Sequence, residues 1–497
     1  MNKRILPLTL SLLMIGCAVG PDYKKPVLDT PSTFRSSTET NTTEDKKLDE
    51  EAWWLNFNDP SLNKLVEQAL NNNRDIQIAI ARVRKAGGEL QTVTSQFFPQ
   101  VSLNAGIDRG LGKGAAVDYL TPTSNTPPTT MTIVQAPVAW QIDIFGGIRR
   151  QVEASTAIQK AMIANREAVS QTVVATVVNH YIVLRSLDRQ LEVAEKTLKN
   201  YMSTLKIFEL RLKYGTANEV QVAQIQSQVD QAEAAIPPLR KAIKEEENNI
   251  NALLGGYPGT IARGKPINEL LIAPPPTGLT SALLERRPDI RLAEEELIAS
   301  NAEIGVAVAQ YFPTFGLTAS GGAVSAVLMG AVSGPVGIWA IGGLASLPIF
   351  TAGRIAGQVT AAKAENSIAL AAYMKTVEGA FRDVDNSLVA NTESRELVKA
   401  RMKQVKTLQK YANLASMQFN YGYTDYLTVL NAEDSLFQAE LQLAQAQAQQ
   451  ASAAVNLYLN LGGGWKATDT AALKNNEHFS SGEGALPNGV VKKQQDQ

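Results

Sequence analysis

Laid against itself with a shift of 207 to 214 residues, the 497-residue chain repeats. Asp75–Gly106 (DIQIAIARVRKAGGELQTVTSQFFPQVSLNAG) answers Asp289–Ser320 (DIRLAEEELIASNAEIGVAVAQYFPTFGLTAS), with Phe98-Pro99 falling on Phe312-Pro313. Tyr214-Gly215 falls on Tyr421-Gly422, and Leu254-Gly255-Gly256 on Leu461-Gly462-Gly463. A repeat of roughly two hundred residues is several times a solenoid unit, so each copy is a module of several elements and the chain has pseudo-twofold character.

Both copies follow one order: a helix of about thirty residues, two strand-like segments, a very long helix, a Tyr-Gly turn and a returning helix. The first copy covers 61–272, with strands near 100–109 and 132–145 and helices near 147–214 and 217–253. The second covers 273–465, with strands near 314–323 and 336–349 and helices near 352–421 and 424–461. Neither proline nor internal glycine interrupts Gly147 to Tyr214, and one helix there would reach roughly 100 Å at 1.5 Å per residue. Leu184, Leu187, Leu191, Ala194, Leu198, Tyr201, Leu205, Phe208 and Leu212 alternate steps of three and four, the pattern of a coiled-coil seam. Val398, Val405, Leu408, Ala412, Ala415 and Phe419 keep part of that register in the second copy. A core helix of a soluble bundle would explain the heptads but not a length several times the globular mean. In the first returning helix, Pro237-Pro238 predicts a break or offset.

Four segments change to a period of two. Val134, Ala136, Val138, Trp140, Ile142 and Ile144 alternate with a face carrying Gln135, Gln141 and Asp143. Val101, Leu103, Ala105 and Ile107 stand against Ser102, Asn104, Gly106 and Asp108, and Phe315, Leu317 and Ala319 against Gly316, Thr318 and Ser320. Trp339, Ile341, Ala345, Leu347 and Ile349 make the fourth row. Such strands suit a half-buried soluble sheet, or a barrel with lipid outside and water within.

The chain's start favours the barrel. Lys3 and Arg4 precede an apolar run from Ile5 to Ile15, which is too short to span a bilayer and reads as a secretory signal over 1–16. Cys17, the only cysteine, follows at once between Gly16 and Ala18, the setting in which bacterial lipoproteins are cut and acylated. The expectation is a lipid-anchored extended segment over 17–60 with Cys17 as the acylated residue; a plain signal peptide with an incidental cysteine is the alternative. A lone thiol leaves no internal disulfide. Four strands cannot close a membrane barrel, and an open edge in hydrocarbon leaves backbone groups unpaired, so subunits must share one barrel. By the same logic the long helices of neighbouring subunits join into one tube.

Composition removes other functions. With 47 basic and 48 acidic residues, nothing points to nucleic acid. His180 and His478 stand far apart, no Cys/His metal spacing exists, and no G-x-S-x-G, H-E-x-x-H or phosphate-loop motif is present. Gly110–Gly114 (GLGKG) reads as a flexible connector. No enzyme, cofactor or metal is expected. The charge-free residues between Glu303 and Arg354 could be taken for inner-membrane helices, but Gly330, Gly334, Pro335, Gly337, Gly342, Gly343 and Pro348 punctuate them. A periplasmic coiled-coil adaptor would lack paired amphipathic strands. The hairpin tip AVSAVLMGAV has no explanation at this level, and the polar tail over 466–497 reads as disordered.

Several stretches resemble one family. CAVGPDYKKP after the leader, WWLNFNDPSLNKLVEQAL from Trp53, RRPDIRLAEEEL from Arg286, NAEIGVAVAQYFP from Asn301, LPIFTAGR from Leu347, YGYTDYLTVLNAEDSLFQAE from Tyr421 and LYLNLGGGW ending at Trp465 resemble the TolC-like outer membrane factors. Within it they resemble the lipid-anchored drug and metal efflux branch that includes OprM and CusC. The resemblance implies a mainly α protomer that trimerises into a twelve-stranded membrane β-barrel and a periplasmic α-helical tunnel, in the outer membrane of a Gram-negative bacterium. Trp140, Ile142, Trp339 and Ile341 would face lipid. It implies a passive exit duct fed by an inner membrane pump, of the RND type, through a periplasmic adaptor; protein secretion of type I or metal-ion efflux is the alternative. The turns at Tyr214-Gly215 and Tyr421-Gly422 would form the periplasmic tip that meets the adaptor and narrows to a gate. Where related channels carry a ring of carboxylates, this chain has Thr428 and Asn431, with Asp425, Glu433 and Asp434 close by as other gate candidates or as a solvated helix face.

Overall fold

The computed structural model describes residues 18–31, 33–36, 52–110, 129–270, 286–325 and 336–463. Cys17, the leader, the tip at 326–335, most of GLGKG and the tail lie outside the described residues. The helices are α1 (Pro60–Asn72), α2 (Arg74–Thr94), α3 (Gly147–Lys213), α4 (Glu219–Leu253), α5 (Pro288–Ala309), α6 (Arg354–Asn420) and α7 (Tyr426–Asn460). The strands are β1 (Gln100–Val101), β2 (Asn104–Gly110), β3 (Thr129–Ile142), β4 (Thr314–Ser325) and β5 (Val336–Ser346). The duplication is metrically regular: α3 and α6 have 67 residues each, α4 and α7 have 35 each, and both pairs are offset by 207.

The chain divides into two compact units. The first comprises 1–27, 82–162 and 292–374 and carries the sheet, in the order β1/β2, β3, β4, β5, all antiparallel. Directly paired residues share a face. Val134 pairs with Ala105 and Ala323, Val138 with Val101 and Ala319, Trp140 with Leu317, and Ile142 with Phe315. Ala319 in turn pairs with Ile341, and Gly321 with Trp339. The period-two apolar rows therefore merge into one apolar face, and Gln135 meets Asn104 and Gly322 on the other. β3 ends before Asp143, whose carboxylate accepts from the backbone N–H groups of Ile148 and Arg149 at 3.1 and 2.9 Å and so caps α3.

An extended strap from Ala18 crosses the same unit. Arg150 donates to the carbonyls of Val19 and Gly20 and to the Asp22 carboxylate, the last at 2.6 Å. Gly20 lies so close to Gly305 that a Cβ there would come within 2.5 Å of the Gly305 backbone. Asn301 donates to the carbonyl of Pro21, and Lys25 pairs with Glu294 at 2.9 Å.

The second unit comprises 28–81, 163–291 and 375–497 and holds the main core. Trp53, Trp54, Phe57 and the apolar side of α1 pack on Val173–Leu184 of α3, Ile243 and Ile250 of α4 and Ala448–Val455 of α7. Asp59 is wholly buried there; its carboxylate caps α1 through Ser61 and Leu62 and accepts from the Tyr181 hydroxyl at 2.8 Å and the Lys265 N–H at 2.9 Å. The first helix of the repeat is split at Asn73, whose amide oxygen caps α2 while its nitrogen donates to the Leu253 carbonyl. Beyond the main core the predicted seam is a string of smaller clusters: Val193, Ala194, Ile236 and Phe437; then Tyr201, Val229 and Ala232; then Phe208 with the residues of the tip. The break expected at Pro237-Pro238 is not there: α4 runs through both prolines, because Ile236 is buried against its neighbours while the proline rings stand outside.

Candidate functional site

Two reversals join the long helices, and both are built alike. At the end of α3 the Gly215 N–H bonds to the Leu212 carbonyl and the Thr216 N–H to the Arg211 carbonyl; at the end of α6 Gly422 bonds to Phe419 and Tyr423 to Gln418. These paired bonds require a residue at positive φ, and Gly215 and Gly422 take +73° and +78°. Each returning helix then begins on a side-chain cap: Asn218, in a reciprocal box with Gln221, for α4 and Asp425 for α7. Tyr214, Tyr421 and Tyr423 are strongly exposed around the turns.

Beneath the turns an aromatic junction ties both hairpins together. Phe208 of α3 lies 6.0 Å from Phe419 of α6 and 4.5 Å from Tyr426 of α7, and Phe419 lies 5.0 Å from Tyr426. The Arg211 guanidinium sits over Phe208 at 5.2 Å and over Phe419 at 5.5 Å. Ile225, Ala412, Ala415, Val429 and Leu430 complete the cluster. Phe208 and Phe419 belong to the heptad rows, but Tyr426 and Arg211 were not singled out in the sequence. They fall off the seam, and no local spacing links residues some two hundred positions apart.

The gate candidates take different environments. Asp425 accepts from both the N–H and the hydroxyl of Thr428, at 3.1 and 2.8 Å, so these two residues are one capping unit. Asn431 is exposed, whereas Glu433 and Asp434 are half-buried. Burial raises the Glu433 carboxyl above the usual range. Tyr426 is pushed up to about 12, by burial first and then by the Glu433 charge. The Tyr201 hydroxyl, buried without a hydrogen-bond partner, is raised by burial and by Glu433 and Asp434. The five candidates thus divide into a cap, an exposed amide and a half-buried carboxyl pair whose charges act on Tyr201.

On the sheet, Trp140 and Ile142 lie on the apolar face of β3, and the Trp140 indole N–H donates to the Phe97 carbonyl at 2.8 Å. Trp339 and Ile341 of β5 share that face and are about four-fifths exposed. Among the described residues no group of His, Cys, Asp and Glu could hold a metal ion, and no helix is long and apolar enough to cross a membrane.

The family model described as Outer membrane efflux protein matches residues 65–256 and 279–463, one match in each repeat. The chain is 31% identical over 475 residues to the solvent efflux pump outer membrane protein SrpC of Pseudomonas putida, covering 94% of this chain and 100% of that protein. It is 28% identical to the cation efflux system protein CusC of Escherichia coli O157:H7, covering 93% and 99%. Among solved structures, the outer-membrane channel OprN superposes with a TM-score of 0.78 at 30% identity, covering 90% of this chain and 100% of that one. The open state of the Neisseria gonorrhoeae MtrE outer membrane channel gives 0.81 at 27%, covering 91% and 100%. The matches span both repeats, the sheet and the helical hairpins, and on them the chain belongs to the outer membrane efflux protein family.

Proposed function

We propose that three copies of this chain enclose a passive exit duct of a tripartite pump, with the sheet in the outer membrane and the helical hairpins in the periplasm. The observation that carries this reading is the sheet: one continuous apolar face and two outer edges, β1/β2 and β5, that pair with nothing among the described residues. In hydrocarbon each unpaired backbone group costs several kcal/mol, so an isolated protomer is untenable there and edge-to-edge pairing with further copies satisfies it. β1 and β2 pair with β3 in one continuous register and count as a single interrupted strand, so three copies of four strands make the twelve-stranded barrel that the resemblance implies. Acylated Cys17 anchors the chain to outer membrane lipid, and the exposed tyrosines of the two turns meet a periplasmic adaptor.

An energised inner membrane transporter, of the RND type, supplies the driving force. The cargo would be small organic toxicants, in keeping with relatives named for solvents and toluene. The CusC likeness keeps cation export as the second reading, although the neutral Thr428 and Asn431 favour the first. The detergent-solubilised mass and heat-sensitive migration on gels test the assembly: a monomer overturns it. Export of a panel of solvents, antibiotics and metal ions in a deletion strain complemented with the chain identifies the cargo.

A further inference from the structure

α3 and α6 are counterparts offset by 207 residues, as are α4 and α7, yet the counterparts are buried unequally. α7 buries fifteen of its 35 residues and α4 only seven, so a flank that is covered on α7 is open on α4. On α3, Ile182 is fully buried and Gln190 is 6% exposed; at the same places on α6, Val389 and Leu397 are 44% and 38% exposed. α6 and α4 therefore each keep one flank uncovered in a single chain.

The duplication says what fits those flanks. Between α3 and α7 the Asn179 amide donates to the Asn456 oxygen at 3.2 Å, Gln445 donates to Gln190 at 3.1 Å, and Ala194 clusters with Phe437. A step of 207 residues turns α3 into α6 and α7 into α4, and carries these pairs onto Asn386 with Asn249, Leu397 with Pro238, and Arg401 with Asp230. Every new pair is chemically matched. The asparagines recur unchanged, two amides become two apolar side chains, and two apolar side chains become opposite charges. Both members of a pair change together, as partners do and unrelated surface positions do not. Within the chain, Asn249, Asn386, Pro238 and Asp230 are exposed. Arg401 and Asp230 bond only to Gln404 and Gln226, on their own helices. Asn249 uses its nitrogen on Glu246 at 3.3 Å, which leaves its oxygen to accept from Asn386 as Asn456 accepts from Asn179.

We infer that α6 of one copy takes α4 of the next in the register that α3 and α7 use within a chain. Asn386 then meets Asn249 of the partner subunit, Leu397 meets Pro238 of the partner subunit, and Arg401 meets Asp230 of the partner subunit. Such a head-to-tail contact closes into a ring when the rotation allows it. The proline in mid-α4 thereby gains a role as an apolar contact between copies. A hairpin in the wrong slot would set Gln190 against the partner's Pro238 and Leu397 against the partner's Gln445, stranding both amides, so the two alternating interfaces are kept distinct. This inference rests on the three-copy duct proposed above.

Cysteine cross-linking of the full-length protein in membranes tests it. Asn249→Cys/Asn386→Cys is expected to give covalent dimers and trimers on non-reducing denaturing gels. The yield should be at least about fivefold that of Ala242→Cys/Asn386→Cys, whose α4 position is displaced roughly 10 Å along the helix, beyond disulfide reach. Pro238→Cys/Leu397→Cys should behave like the first pair. Arg401→Glu and Asp230→Arg are each expected to lower the heating temperature at which the oligomer band is lost, and the double charge swap to restore it. Intact trimers that give no covalent oligomer, an equal yield from the displaced pair, or a charge swap no better than its worse single variant overturns the register. A parent chain that runs as a monomer in detergent overturns instead the three-copy reading beneath it.

Discussion

At Asp59 one carboxylate does the work of several local contacts. It caps α1 and receives the Tyr181 hydroxyl and the Lys265 N–H inside the main core, so truncation strands several buried donors at once. Asp59→Ala is expected to destabilise the second unit by about 2–4 kcal/mol, from the lost cap and the unpaired donors; loss of helical circular dichroism on heating measures it. His180 behaves differently because it titrates. Its ring nitrogen lies 2.6 Å from the Glu246 carboxylate, and that hydrogen bond, outweighing partial burial, raises its pKa above the ordinary value of 6.5. A raised folded-state pKa means that the stabilisation is complete below about pH 6.5 and fades as pH rises through the folded value. Thermal stability measured from about pH 5.5 to 8.5 should therefore fall more in the parent than in His180→Gln. Equal slopes would remove the pair from the account.

Among the elements, the sheet faces make the sharpest contrast. Ile341 sits at the middle of β5 on the apolar face, and Thr318 of β4, paired with Gly342, lies on the opposite one. An arginine on the lipid side at mid-membrane costs about 2–4 kcal/mol, whereas a charge facing a wet lumen costs little. Ile341→Arg is accordingly expected to deplete the heat-resistant oligomer in membrane extracts, and Thr318→Lys to leave it intact. The inverse result would mean that the sheet is inside out. Much of this scale was legible in the residues. Period two named the apolar rows that the pairing registers later joined, and the lack of proline and glycine after Gly147 foretold the 67-residue helix. Tyr-Gly marked both turns because the reversal demands positive φ. Where a distant contact decides, local pattern fell short. Asn73 splits the first helix by reaching the Leu253 carbonyl, and Ile236, buried against α3 and α7, carries α4 through two prolines. Asp425, taken as a gate candidate, also caps a helix, a role its spacing to Thr428 could have revealed.

For the assembled molecule, symmetry multiplies whatever a single tip contributes. The Arg211 guanidinium spans Phe208 and Phe419, which belong to different hairpins, so it holds α3 to α6 at the end where the duct would open. A cation–π contact at an exposed site is worth about 0.5–1 kcal/mol. In a trimer that opens in concert, three copies of Arg211→Ala would shift the equilibrium by roughly 1.5–3 kcal/mol, or about 10- to 150-fold in the open population. Tips that open one at a time would feel only the single-copy value, roughly two- to fivefold. Single-channel recording in planar bilayers reads the two cases apart by the open probability of the unassisted trimer. Phe419→Ala removes that ring's contacts with Phe208 and Tyr426 together with one of the two rings under Arg211 and should exceed Arg211→Ala, while Arg211→Lys keeps the cation and should stay near the parent. If neither truncation raises the open probability, the junction is packing alone and closure is held elsewhere, with the half-buried Glu433 and Asp434 as the next groups to substitute.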